Sequence, residues 1–148
     1  MREIEFRAKA INREEGQEYR TNYKNGDWVY GLITKRKDKY CCAIMTNTNG
    51  VSNIDVDDKT IGQYVGVKDS KGVKAYEGDI VKNSIGMLFV IKYFCGGFDL
   101  IPTKEYNKLK ATWNCLGELQ NALYFKESCK IVGNIYDTPE LLKVECLC

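Results

Sequence analysis

Two carboxylates stand two positions apart in Tyr76-Glu77-Gly78-Asp79-Ile80-Val81-Lys82, and such a pair is where general acid and base chemistry would be sought first. That chemistry needs two carboxyl groups a few ångströms apart in a desolvated cleft, one of them with a raised pKa. Around a glycine, just before a β-branched run, the same residues make a bend. There a carboxylate accepts hydrogen bonds from nearby backbone N–H groups and stays ionised. A second Gly-Asp at Gly26-Asp27, before Trp28-Val29-Tyr30, fits the same description. One explanation covers both copies, so Glu77 and Asp79 are read as turn residues that open a strand.

Other chemistries find less support. The chain has no histidine, which removes Ser-His and Cys-His nucleophile pairs, imidazole metal ligands and the usual neutral-pH proton shuttle together. No P-loop or Rossmann glycine pattern occurs. Seven cysteines are present (41, 42, 95, 115, 129, 146 and 148), but only Cys41-Cys42 and Cys146-x-Cys148 come in pairs, and neither has the spacing of a structural zinc site. The odd number argues against a closed disulfide framework. The expectation is a non-enzymatic protein with no catalytic residues, metal or cofactor, and with reduced thiols.

A binding role rests on charge and aromatic residues. Lys35-Arg36-Lys37-Asp38-Lys39 is the densest basic cluster, followed by Tyr40, with Tyr23, Trp28, Tyr30 and Tyr64 in the same half of the chain. Cations beside aromatic rings serve single-strand nucleic-acid binders as phosphate contacts and stacking platforms. Against this, the net charge is only +2 and the pI near 8.1. A solvated hairpin tip and core aromatics, Trp28 and Tyr64 above all, account for the same residues. Lys35, Arg36, Lys37, Lys39 and Tyr40 are carried as candidates for weak, non-specific nucleic-acid contact.

The elements that would position these residues are short and β-rich. Ile4, Phe6 and Ala8 alternate with Glu3, Glu5 and Arg7, the period of a strand with one buried face. Hairpin arms are predicted at 25–34, opening on the Asn25-Gly26 turn, and at 40–47, with a short strand at 51–56 after the Asn49-Gly50 turn. Asp69-Ser70-Lys71-Gly72 fits a type I turn followed by a left-handed glycine. Further strands are predicted from Asp79, across 86–94, at 98–102 and at 129–137. Leu116, Leu119 and Leu123 form a helical stripe within a helical insertion near 103–124, and Asp137 or Thr138 with Pro139 opens a short C-terminal helical turn. Two Gly-Asp starts and two apolar-glycine-amide pieces, at 60–64 and 131–136, echo one another. Duplication and the chance recurrence of turn–strand pieces explain that echo equally well.

The 148 residues, 44% hydrophobic and 28% charged, suit a globular protein of one domain or two small ones. No apolar stretch reaches membrane length, and Met1 is followed at once by charges, so no membrane association and a cytoplasmic location are expected.

Three ordered blocks, "MREIEFRA", "IGQYVGVKDSKGVKAYEGDIVK" and "IVGNIYDTPELL", resemble the YopX-like proteins of phages and prophages over nearly the whole chain. The resemblance implies a mainly β architecture of small SH3-like barrel modules, life inside a bacterial host, and no established biochemical activity. It places the family's recurring residues at Gly62, Tyr64, Gly66, Asp69, Gly72, Tyr76, Glu77, Gly78, Asp79, Gly133, Asn134 and Pro139, mostly turn formers and aromatics. The expected organisation is one YopX-like domain over 1–148 with β sub-modules 1–66 and 67–142 and a loose tail, 143–148. The expected function is a non-enzymatic β module that binds protein partners or itself, with weak nucleic-acid binding as the alternative.

Overall fold

The computed structural model describes residues 2–11, 23–45, 50–94, 96–106 and 122–143. The chain divides into two compact units, Met1–Tyr64 and Val65–Cys148.

In the first unit, β1 (Phe6–Lys9), β2 (Trp28–Arg36), β3 (Lys39–Met45), β4 (Val51–Asp55) and the start of β5 (Gly62–Lys68) form an antiparallel sheet in the order β4-β3-β2-β1-β5. Register is set by pairs such as Phe6 with Gly31, Leu32 with Ala43 and Cys42 with Ile54. Because side chains alternate along a strand, Val29 and Ile33 of β2 meet Cys42 and Ile44 of β3 and Ile54 of β4 on one side. Ala8, Ala10 and Val56 complete that core. β1 departs from the one-sided strand that its alternation predicts: Arg7 and Ala8, which point to opposite faces, are both buried. Ala8 lies in the core, and on the other face the Arg7 guanidinium lies against the Trp28 ring.

The second unit holds β6 (Lys74–Tyr76) next to β5, then β7 (Asp79–Lys82), β8 (Leu88–Phe94), β9 (Gly97–Pro102), α1 (Ala122–Ser128) and β10 (Lys130–Asn134). Strands β10-β7-β8-β9 make an antiparallel sheet. One face packs Val81, Phe89, Ile91 and Leu100 with Phe125 of α1 and Cys129. Ile80, Val90 and Ile101, a row across three strands, are buried on the other. Burial on both faces explains why "MLFVI" reads as a continuous apolar run instead of an alternating one. Two 3-10 turns, Thr103–Glu105 and Pro139–Lys143, lie against each other.

The mainly β expectation holds, with strands in two antiparallel sheets and no closed barrel among the described residues. A single antiparallel bridge, Ala10 with Val56, joins the ends of β1 and β4 without a continuous ladder. Within the expected helical insertion, 103–105 is a 3-10 turn, 107–121 lies outside the described residues, and the helix runs later, over Ala122–Ser128. Leu116 and Leu119 fall outside the described residues, as do 144–148 of the tail and Cys95, Cys115, Cys146 and Cys148. Cys41, Cys42 and Cys129 are buried free thiols.

Candidate binding surface

The Glu77-Gly78-Asp79 bend is fastened at its glycine. Gly78 has φ 89°, its N–H donates to the Ile91 carbonyl at 2.8 Å, and its carbonyl accepts the Ile135 N–H at 2.9 Å. Asp79 is buried, and its Oδ2 accepts the Tyr76 N–H at 2.8 Å. Glu77 is half-buried and turns its charge on another neighbour: burial first, and the Glu77 carboxylate second, hold the Tyr106 hydroxyl above its ordinary pKa. The two carboxylates thus serve different surroundings. Asp27 repeats the Asp79 arrangement on the surface, with Oδ2 accepting the Lys24 N–H at 2.9 Å beside Gly26 at φ 88°.

Asp69 does more than close its own turn. Its Oδ1 accepts the Lys71 and Val73 N–H groups at 2.9 and 2.8 Å, and its Oδ2 accepts Ile131 N–H at 2.9 Å from β10. Gly72, at φ 81°, ends that turn. Asn134 folds the loop after β10 in the same manner, its Oδ1 accepting Tyr136 and Asp137 N–H groups at 3.0 and 2.8 Å. Thr138 reaches back to Asn134, accepting its N–H at 3.0 Å and donating to its carbonyl at 2.9 Å, and does not cap the turn that exposed Pro139 opens. Any side chain at Gly133 would collide with the Thr138 hydroxyl. Gly62 lies opposite Arg7, and Tyr64 and Tyr76 are buried. These residues form turn-building hydrogen bonds or fill cores, and among the described residues no three His, Cys, Asp or Glu side chains lie together as metal ligands would.

The basic hairpin tip does not present one patch. Arg36 faces Lys39 across the β2–β3 ladder and Lys35 faces Tyr40, so alternation sends the first pair to one face and the second to the other. The Lys35 ammonium sits 5.5 Å from the centre of the Tyr40 ring, and Lys37 takes the turn at φ 53°. Arg36 and Lys39 act on the neighbouring Cys41 thiol, partly opposing its upward pKa shift, which comes from burial and then from the hydrogen bond and charge of Asp55.

The residues that do gather are ones the sequence did not single out as a set. On the face of β2 away from the core lie Trp28, Tyr30 and Leu32; Ala43 stands opposite Leu32, and Val51 stands opposite Met45, two positions further along β3. Tyr30, Leu32 and Val51 are 47, 54 and 60% exposed. Trp28 is half-buried under two cations, with the Arg7 guanidinium 4.6 Å and the Lys9 ammonium 5.3 Å from its ring centre. The alternation of "WVYGLIT" held this signal, but a strand with apolar residues on both faces does not reveal which face is open.

The described residues thus form two antiparallel β units in which Asp27, Asp69 and Asp79 accept turn N–H groups, while Tyr30, Leu32 and Val51 stand exposed on one sheet face. Residues 5–143 match the family model described as YopX protein, and the chain belongs to the YopX family. The fold is similar to that of the crystal structure of protein EF1440 from Enterococcus faecalis, with a TM-score of 0.53 and 18% identity. That likeness covers 96% of this chain and 99% of the other. No curated protein matches. Among the described residues no helix is long and apolar enough to cross a membrane.

Proposed function

We propose that the chain is a non-enzymatic β module that works by binding protein partners or copies of itself through the solvent-facing side of β2, β3 and β4. The observation that supports this is the shared exposure of Tyr30, Leu32 and Val51 on one face of three adjacent strands. Contiguous apolar area of this kind gains free energy when covered, and tyrosine adds contact at small conformational cost. Phage or prophage origin and a cytoplasmic site of action in a bacterial host belong to the same proposal. The weak nucleic-acid reading loses force from the split of Arg36 and Lys39 from Lys35 and Tyr40. Retention on single-stranded DNA should vanish near physiological salt, because few phosphates are contacted and counterion release is salt-sensitive.

The test compares the wild-type chain with a Tyr30→Glu, Leu32→Glu double variant, each immobilised and exposed to host lysate. Folding is checked by circular dichroism. The expected result is a host protein retained by the wild type and lost from the variant, at low and high salt alike. A variant that keeps every retained protein overturns the proposal.

A further inference from the structure

The first unit's sheet ends at β4, and its register determines which backbone groups of that strand look outward. Val56 N–H donates to the Tyr40 carbonyl at 3.1 Å, and Cys41 faces Asp55. Hydrogen-bonded pairs alternate along an antiparallel ladder, so Tyr40 with Val56, Cys42 with Ile54 and Ile44 with Ser52 are the bonded ones. The N–H and C=O groups of Val51, Asn53 and Asp55 therefore point away from β3. Asp55 uses that direction: its carbonyl accepts the Ile11 N–H at 2.8 Å. Val51 and Asn53 have no partner there among the described residues, and both side chains are exposed.

Among the described residues nothing blunts the edge at Val51 and Asn53. In β9, the end strand of the second unit's sheet, Leu100 N–H is taken by Asp99 Oδ1 at 2.8 Å, and Pro102, which points the same way, has no N–H. Charges, prolines and local capping are the devices that keep sheet edges from pairing. Val51-Ser52-Asn53 carries none of them.

We propose that two copies of this chain pair edge to edge, β4 against β4 in antiparallel register, about a two-fold axis at Ser52. This rests on the binding-module reading and specifies one partner for it. In that register Val51 of each copy forms a bonded pair with Asn53 of the other, and every open N–H meets an open C=O at its own spacing. An isologous contact requires such self-complementarity. The paired segment is uncharged, so the copies approach without like-charge repulsion, and their Asp55 carboxylates fall at opposite ends. The exposed face of Tyr30, Leu32 and Val51 then continues across the axis. The contact is small, which makes it weak, with a Kd on the order of 0.1–1 mM.

Sedimentation velocity of the full chain up to about 1 mM should show a monomer–dimer equilibrium at that strength. Asn53→Pro removes the outward N–H without touching a bond to β3, and should shift the dimer fraction to near zero. A second readout survives any misfolding of that variant. Under the two-fold, Ser52 faces itself in a non-bonded pair, where Cα atoms lie about 4.5 Å apart, within reach of a disulfide. Mild oxidation of Ser52→Cys should therefore give an intermolecular crosslink between the two introduced thiols, identified by peptide mass spectrometry. A chain that stays monomeric, or a dimer that Asn53→Pro spares and Ser52→Cys does not crosslink, overturns the proposal. If the edge fails while Tyr30→Glu, Leu32→Glu still loses a host protein, the binding-module reading stands and only the self-pairing falls. If the edge fails and the Tyr30→Glu, Leu32→Glu variant also keeps every retained protein, the reading itself falls.

Discussion

Gly26-Asp27 and Gly78-Asp79 are built alike, each with an aspartate Oδ2 accepting the N–H three residues back and a glycine near φ 90° just before it. Their surroundings are opposite. A side chain at Gly26 would meet open space, whereas one at Gly78 would meet Tyr136 at 3.2 Å and Ile135 at 3.6 Å. Asp27 is exposed and Asp79 is 2% exposed. Local sequence thus sets the shape of a turn, while the elements packed over it set what the turn is worth. The two sheets differ in the same sense, since the second buries both faces and the first leaves Tyr30, Leu32 and Val51 in solvent.

The largest expected effect comes from the glycines. Gly78→Ala should cost about 2–3 kcal/mol, combining left-handed strain with crowding against Tyr136. Gly26→Ala should cost about 1–2 kcal/mol from strain alone. Denaturant unfolding of both variants measures the difference, and equal costs would erase the contrast between the two turns. Next come the aspartates. Asp79→Ala leaves a buried Tyr76 N–H without its acceptor and should cost about 1–3 kcal/mol. Asp27→Ala, whose freed N–H meets water, should stay within about 0.5 kcal/mol. A well-folded Asp79→Ala with unchanged melting but lost partner binding would transfer Asp79 from scaffold to function.

The smallest effect, absent at neutral pH, lies in the first unit's core. Burial, then Glu5 and Cys41, push the Cys42 thiol from its ordinary 9.0 up to about 11. Folding therefore favours the protonated thiol. That contribution is complete below pH 9 and is lost as pH rises toward the folded value. Unfolding free energy measured from pH 8 to 11 should decline in this window, and Cys42→Ala should flatten that decline.

Much of the scaffold was legible because its signals are local. The Asp69–Gly72 turn, the two Gly-Asp turns and the hairpin arms depend on residues close in sequence, and glycine at positive φ marks three of them. What stayed hidden depends on layers. Nothing near Arg7 announces that its strand is covered on both faces, and nothing in "KRKDK" says that strand alternation divides its charges between two sides. Tyr30 and Leu32 were visible as strand residues, but their exposure follows from what is not packed over them. No short stretch encodes that.

The bond from Ile131 N–H to Asp69 Oδ2 spans 62 residues, and it puts the second unit on a clock. The bonds from the Lys71 and Val73 N–H groups to the Asp69 carboxylate need only residues two and four positions away. Ile131 is made later: at 5–20 residues per second the interval is roughly 3–12 s. Through that interval the carboxylate oxygen that will hold β10 has only water to accept from, and β7 has no β10 to pair with. Completion of the unit therefore cannot precede the synthesis of β10, and a nascent chain halted before residue 131 would lack the strand that pairs with β7.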